Sequence, residues 1–388
     1  FKLEESSISE ESSKSEESSK SAESSKSDKL SKSEKEKLKK IADKIPIGDK
    51  LKESGSVPGR PLTENEFTYQ IKTQASYGVG RTAVAVDSYG GAELFEGDIA
   101  INDKDELDEL LGLATGRNAI SGKDLLWPKG IVPYVLGEEF NSIERRSIAG
   151  AMKQYHKMTC IRFVPFTNTT EFPHHLHIFK GKGCYSAVGR REGLKVQGLS
   201  LDAKFHCFRQ EVIQHELMHA IGFWHEQSRP DRDKYIDIIH KNIMKGKEVN
   251  FAMKLPSETI KLGLPYDYSS LMHYLHNQFS KNWGVSAIIP KDKSIDKKKL
   301  GNMKGFTQLD IDGINRLYKE ECGKRKQIES AKKHTELANT KVKKVDKPMV
   351  QLNIASLCMI WASAGECQHN YIFMMQTCKA ACLAKGLG

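Results

Sequence analysis

Long apolar runs are missing from this 388-residue chain. No stretch reaches the roughly eighteen consecutive apolar residues that a membrane-spanning helix needs, so no transmembrane segment is expected. The chain opens on Phe1 and runs directly into serine and acidic residues, from which a secretory leader is expected to have been removed already. Glycosylation acceptors are scarce, the single one being Asn168 in Asn168-Thr169-Thr170. Residues 1–40, written around EESSKSEESSKSAESSKSDK, hold almost nothing apolar to bury and are expected to form a disordered spacer. Negative charge also falls short, with 50 Asp and Glu against 60 Lys and Arg. Much of the excess lies in residues 324–347, where nine Lys or Arg face three Asp or Glu. That concentration reads as a solvated basic linker (324–350), and no nucleic-acid partner is expected. Attraction to sulfated matrix glycans is the contact such a linker would favour.

Cysteine is sparse and grouped. Its eight copies fall at Cys160, Cys184, Cys207 and Cys322, then at Cys358, Cys367, Cys378 and Cys382, which suggests two separately stapled modules. Four cysteines permit three pairings, so spacing alone leaves the connectivity open. Disulfides in this number require an oxidising compartment, and a secreted, extracellular protein is expected.

What the chain does have is HELMHAIGFWHE at residues 215–226. His215 and His219 stand one helical turn apart, so both rings can reach a single metal ion. Gly222 accepts a positive φ at little cost, which lets the helix end and the chain turn back to bring His225 in as a third ligand. Two histidines four apart are commonplace; six specified residues within twelve are not. Three protein ligands leave a fourth position for water, the arrangement of a catalytic zinc ion, which lowers the pKa of bound water and polarises a carbonyl. Glu216, beside the ligands, is the candidate to move the proton from the attacking water to the leaving amine. One Zn(2+) and amide hydrolysis without a covalent intermediate are therefore expected.

The long motif indicates the metzincin group, which needs a methionine turn under the metal. The segment DYSSLMHY at residues 267–274 supplies Met272 and, with the zinc motif, resembles the astacin family of zinc endopeptidases. The resemblance implies that Tyr274 is a zinc ligand in the resting active enzyme and swings away to stabilise the oxyanion. It implies that Glu226 receives the amino terminus of the activated enzyme. Residues Arg117, Asn118 and Ala119, followed by Leu126-Trp127-Pro128 and Val132-Pro133-Tyr134, resemble the start of a mature catalytic domain. Cleavage after Arg117 by a trypsin- or furin-like protease would make Asn118 the new terminus. Upstream, Phe95-Glu96-Gly97-Asp98 is similar to the inhibitory FxGD element of astacin propeptides, implying that Asp98 is the fourth metal ligand of a latent zymogen. The family also implies the disulfides Cys160–Cys322 and Cys184–Cys207.

The expected fold class is α+β. A two-lobed catalytic domain (118–323) with a twisted sheet and a zinc helix follows a propeptide (41–117). A small disulfide-stapled, helical module (351–388) closes the chain. Helices are expected over 103–113, 142–158, 210–221 and 307–319, and strands over 175–179 and 196–201. The last module resembles the ShK toxin domain through Trp361, Gly365, Glu366, Cys367, Asn370, Met374, Cys378 and Cys382. Two of that module's six cysteines are missing, which implies the pairs Cys358–Cys378 and Cys367–Cys382. Ile372 and Phe373 stand where channel-blocking members carry lysine and tyrosine, so channel block is not carried over. The expected function is a secreted zinc endopeptidase acting on extracellular proteins. The alternative is a venom or nematocyst component in which the carboxyl module contacts a receptor.

Overall fold

The computed structural model describes residues 57–68, 94–101 and 126–342, apart from 167–172, 192–193, 255, 257–258, 261, 283 and 302–303, together with Glu36, 378–384 and 386. The expected activation bond at Arg117 and Asn118, the helix at 103–113, Asn168, Cys358 and Cys367 lie outside the described residues.

After the short helix α1 (Glu64–Thr68) come five strands, β1 (Ile131–Leu136), β2 (Arg162–Pro165), β3 (His175–Phe179), β4 (Tyr185–Ser186) and β5 (Val196–Ser200). They form one sheet in the order β2-β1-β3-β5-β4. Strands β1, β2, β3 and β5 run parallel; β4 is antiparallel to β5 and forms an edge. Pro133 is tolerated inside β1 because β3 pairs only from Tyr134 onward, leaving no ladder bond on that side for a missing N–H to break.

Helix α2 (Ser142–Met158) crosses the sheet. It starts where Asn141 accepts from the N–H groups of Ile143 and Glu144 while Glu144 accepts from the N–H of Asn141, a reciprocal cap that satisfies three otherwise orphan donors. Its buried side chains Ile148, Met152 and Tyr155 recur at the three- and four-residue spacing of one helical face. That face meets helix α3 (Gln210–Ala220) and the sheet, where Ile148, Met152, Val132, Leu136, Leu176, Ile178, Leu199, Ile213 and Leu217 are all at most 1% exposed. Each such side chain contributes about 1.5–3 kcal/mol on leaving water. Tyr155 fixes the two helices further by donating its hydroxyl to the Gln214 carbonyl at 2.6 Å.

A second core lies beyond α3, where Ile236, Ile243, Phe251, Tyr274, Phe279 and Ile288 pack around the antiparallel pair β6 (Ile236–Ile238) and β7 (Ile288–Pro290). Helix α4 (Gln308–Leu317) returns to the first core, capped by Thr307 with Asp310 as reciprocal partner. Helix α5 (Lys319–Val342) runs on past residue 323 into the basic stretch. Disulfides Cys160–Cys322 and Cys184–Cys207, the pairs implied by the family, staple α5 to the turn after α2 and the edge of β4 to the loop before α3. At the far end, helix α6 (Lys379–Ala384) carries Cys382; Cys378 and Cys382 are both disulfide-bonded. Among the described residues no helix is long and apolar enough to cross a membrane.

Two upstream stretches lie on this frame. Residues 57–68 bridge to the end of β1 through Pro58 and Gly137 and set Glu66 against Arg145 of α2 at 2.8 Å. Residues 94–101 run along the free edge of β4, where Ser186 donates to the Asp98 carbonyl and accepts from Ala100 N–H.

Candidate active site

The site forms where the end of α3 meets the second core. His215 and His219 project from one face of α3, and the helix stops immediately after them. Gly222 lies at φ 108°, with its N–H donating to the His219 carbonyl and Phe223 N–H donating to the Met218 carbonyl. These paired bonds form the Schellman arrangement that needs a left-handed residue, and they reverse the chain so that His225 returns to its partners.

Each histidine is oriented by an acceptor on Nδ1. His215 donates to the Leu271 carbonyl at 2.9 Å, His219 to the Phe223 carbonyl at 2.7 Å, and His225 to Oε2 of Glu96 at 2.7 Å. These contacts place the lone pairs on Nε2. The three Nε2 atoms face Asp98, whose Oδ2 lies 3.2 Å from His215 and 3.3 Å from His225, with Oδ1 3.6 Å from His219. One donor atom from each of the four residues falls within a 4.8 Å cluster.

This donor set fits a metal ion. The Nε2 atoms of His215 and His219 stand 3.1 Å apart, and with Nδ1 carrying the proton neither can donate to the other. A cation between the lone pairs resolves that repulsion. The charge balance agrees: burial opposes a charged His225, but Asp98 and then Glu96 overcome it and raise its pKa to about 9, so the cluster attracts positive charge. Burial would likewise raise Asp98, yet positive charge at His225 and the close approach of the three histidine rings hold it well below the usual carboxylate range. The three-histidine, one-carboxylate set suits zinc.

Glu216 follows His215 on α3 and is fully buried, with neither carboxylate oxygen hydrogen-bonded among the described residues. Burial, and then the Asp98 charge, push its pKa well above normal. A buried carboxyl left unpartnered is costly, which sets this one apart beside the histidine cluster. Tyr274 packs its ring 4.7 Å from His225 and donates its hydroxyl to the Glu96 carbonyl at 2.5 Å. Met272 is buried in the first core, and its carbonyl accepts from Glu226 N–H at 2.9 Å. Glu226 accepts from Arg229 and from Asp267 N–H, both at 2.9 Å. Burial outweighs those bonds and raises its pKa to about 7. It lines a cavity of about 540 Å³ together with Arg229, Asp267, Met272 and Leu317.

Five contributors lie outside the histidine motif and the methionine turn. Glu96 stands at φ 48°, a strained position, and Gly97 at φ 87° lies where an added Cβ would come 2.5 Å from the Phe279 ring. Asp310 accepts from Ser270 Oγ at 2.6 Å and Leu271 N–H at 3.0 Å, fixing the carbonyl that orients His215. Its Thr-x-x-Asp cap spacing was the available clue. Gln227 accepts from Tyr274 N–H at 2.9 Å. Lys254 is buried against Glu96, and nothing in the sequence pointed to it.

The family model for astacin, a peptidase family, matches residues 119–319. Zinc metalloproteinase nas-7 of Caenorhabditis elegans is 45% identical over 202 residues, 52% of this chain and 50% of that protein. Zinc metalloproteinase nas-4 of Caenorhabditis elegans is 36% identical over 264 residues, 68% of this chain and 81% of that protein. Other relatives are longer, and the chain spans only 22% of Zinc metalloproteinase nas-39. Among solved structures, High choriolytic enzyme 1, a hatching enzyme zinc-protease from Oryzias latipes, is 36% identical with a TM-score of 0.47, covering 53% of this chain and 99% of that one.

Proposed function

The chain belongs to the astacin family of zinc peptidases, and on that premise we propose that it is a secreted endopeptidase made as a latent precursor and acting on extracellular proteins. The observation that carries the reading is the cluster of three histidine Nε2 atoms with Asp98, a residue from outside the family-matched region. Disulfide-bonded cysteines support an oxidising compartment.

His215, His219 and His225 would hold zinc, which when bound lowers the pKa of water and polarises a substrate carbonyl. Glu216 takes the proton of the attacking water and returns it to the departing nitrogen; its raised pKa suits both halves of that exchange. Tyr274, once released from the Glu96 carbonyl, donates to the oxygen on which charge develops. The edge of β4, now paired with residues 98–100, is a template for the substrate backbone.

Latency would follow from Asp98 serving as a fourth ligand beside the three histidines, in the place of water. Cleavage after Arg117 by a trypsin- or furin-like protease frees Asn118 as the mature terminus. The cavity beside Glu226 would receive that amine, in competition with Arg229. Full-length chain treated with trypsin, then assayed on a quenched protein substrate, tests the reading. Activity should appear on cleavage near residue 117, vanish with chelator, and fail in Glu216→Ala. Metal analysis should find one zinc per chain, lost in a His219→Ala variant. Trimmed, zinc-loaded protein that cleaves nothing would overturn the proposal.

A further inference from the structure

Arg145 of α2 is 5% exposed, and among the described residues its guanidinium bonds only to residues 60–66. Its Nε reaches Glu66 Oε1 at 2.8 Å, and one terminal nitrogen donates to the carbonyls of Pro61 at 2.8 Å and Arg60 at 3.0 Å. The catalytic domain meets the same stretch at three more places. The Tyr134 hydroxyl accepts from Leu62 N–H at 3.3 Å, and the Leu62 side chain is buried in the first core. At the end of β1, Gly59 N–H donates to the Leu136 carbonyl at 2.7 Å and Glu138 N–H to the Val57 carbonyl at 2.9 Å. His156 stacks on Phe67 with ring centres 5.8 Å apart.

The occupant of this face is a short, self-capped peptide. The Thr63 N–H and hydroxyl reach Glu66 Oε2 at 2.7 and 3.0 Å, so the carboxylate closes the turn that starts α1 and still presents Oε1 to Arg145. Helix α1 has only five residues, too few to persist in isolation. In the latent chain the covalent link holds the stretch at high local concentration. Cleavage near residue 117 removes that link, and the freed peptide must be ordered anew at each encounter. What stays on the domain is a formed receptor: a seat for Leu62, a strand end with open backbone groups, and a buried guanidinium stripped of its carboxylate. A buried charge left so is costly, and the face is suited to take up another acidic peptide.

We propose that this face of α2 and the end of β1 form a docking site, separate from the metal ligands, for extracellular protein substrates that carry a large apolar residue four positions before a glutamate. Such a segment takes the place that Leu62 and Glu66 hold in the latent chain. Docking there raises the local concentration of the bond to be cut, lowering KM and leaving kcat to the metal site. The inference rests on the latent-peptidase reading above.

Two measurements test it, and the first needs no turnover. A fluorescein-labelled peptide of residues 57–68 should bind trypsin-trimmed Glu216→Gln protein, read by anisotropy, and Gln in place of Glu66 in the peptide should weaken binding by about 30-fold or more. That change leaves the protein untouched, so it decides even where Arg145→Met fails to fold; where the variant folds, it should bind both peptides alike. The second compares one short quenched peptide with and without a tail of residues 57–68, on trimmed, zinc-loaded full-length chain. A flexible linker of about 30 residues, with a mean span of about 30 Å, joins tail and cleavable sequence. The tail should lower KM by about tenfold or more with kcat within about twofold, and free 57–68 peptide should cancel the gain. Equal affinity for the Glu and Gln peptides overturns the assignment, as does a KM that the tail leaves unmoved. Retention of residues 57–68 by the trimmed protein through gel filtration also overturns it, since the segment is then a permanent subunit. Cleavage of neither quenched substrate overturns the peptidase reading, and the anisotropy then decides the docking site alone.

Discussion

Residues 57–68 and residues 94–101 both lie against the catalytic region, but they hold it by different chemistry. The first stretch grips the outside of α2: Glu66 takes Arg145 at 2.8 Å and Arg60 at 2.9 Å, and Phe67 stacks on His156. None of these side chains touches a metal-ligand candidate. The second enters the site, with Glu96 and Asp98 each at most 2% exposed and meeting the three histidines between them. An ion pair on a helix flank can fasten a segment without affecting chemistry, whereas a carboxylate among metal ligands blocks chemistry wherever the rest of the segment is fastened. In the proposed zymogen, then, attachment and inhibition are separable.

The largest expected effect comes from the inhibitory stretch. Asp98→Ala removes the carboxylate facing the histidines and leaves the grip on α2 intact. Loss of a buried charged contact of this kind amounts to about 2–5 kcal/mol. Activity of the uncleaved chain should therefore rise by about 100-fold, measured on a quenched peptide too short to reach α2. Failure of the uncut variant to cleave anything would mean that Glu96, with its bonds to His225 and Tyr274, suffices to keep the chain latent.

Arg145→Met tests the other stretch. It strands Glu66 as a buried carboxylate with only the half-exposed Arg60 nearby, a loss of about 3–5 kcal/mol for a broken buried pair. Thermal unfolding of the latent chain should fall accordingly, and trypsin should trim the variant faster. Once trimmed, its kcat/KM should stay within about twofold of wild type, because Arg145 contacts Glu66 and the carbonyls of Arg60 and Pro61. A matching loss of activity in the trimmed variant would show that the two stretches are not separable.

The same ion pair predicts a pH dependence. Burial alone would raise the Glu66 pKa, but Arg60, Arg145 and the Thr63 N–H hold it at about 2 against an ordinary 4.5. A pKa lowered in the folded state means that the unfolded chain binds the proton first. The stabilisation is thus complete above pH 4.5 and is lost as pH falls toward 2. The gap in Tm between wild type and Glu66→Gln should be widest above pH 4.5 and shrink on acidification; a constant gap would remove the ion pair from the account.

The stretch that meets the histidines was legible in the sequence and the one that grips α2 was not. Asp98 could be read because FEGD is local, just as His215, His219, Gly222 and Met272 could be read from two short motifs. Local signals likewise placed α2, α3 and α4; the reciprocal caps of α2 and α4 lie within three residues of the first turn, while α3 follows from its histidine spacing. Glu66 and Arg145 are 79 residues apart, and neither stands out among sixty basic and fifty acidic side chains. Sheet order is hidden for the same reason, since parallel neighbours β1 and β3 meet through connections that no local period records. The acceptors on Nδ1 of His215 and His219 are backbone carbonyls, which every residue carries. Only the folded chain selects Leu271 and Phe223 from among them.

Thr63→Ala gives the smallest effect and divides the attaching stretch itself. The Thr63 hydroxyl donates to Glu66 Oε2 at 3.0 Å, and the Thr63 N–H reaches the same oxygen at 2.7 Å. Alanine removes the first bond and keeps the second, so the carboxylate retains Arg60, Arg145 and its backbone donor. What is lost is a cap on α1, worth about 1 kcal/mol. The latent chain should unfold at a slightly lower temperature, and trimming by trypsin should quicken by no more than about fivefold. A drop as large as that of Arg145→Met would place the strength of this stretch in its own turn, with the contact to α2 secondary.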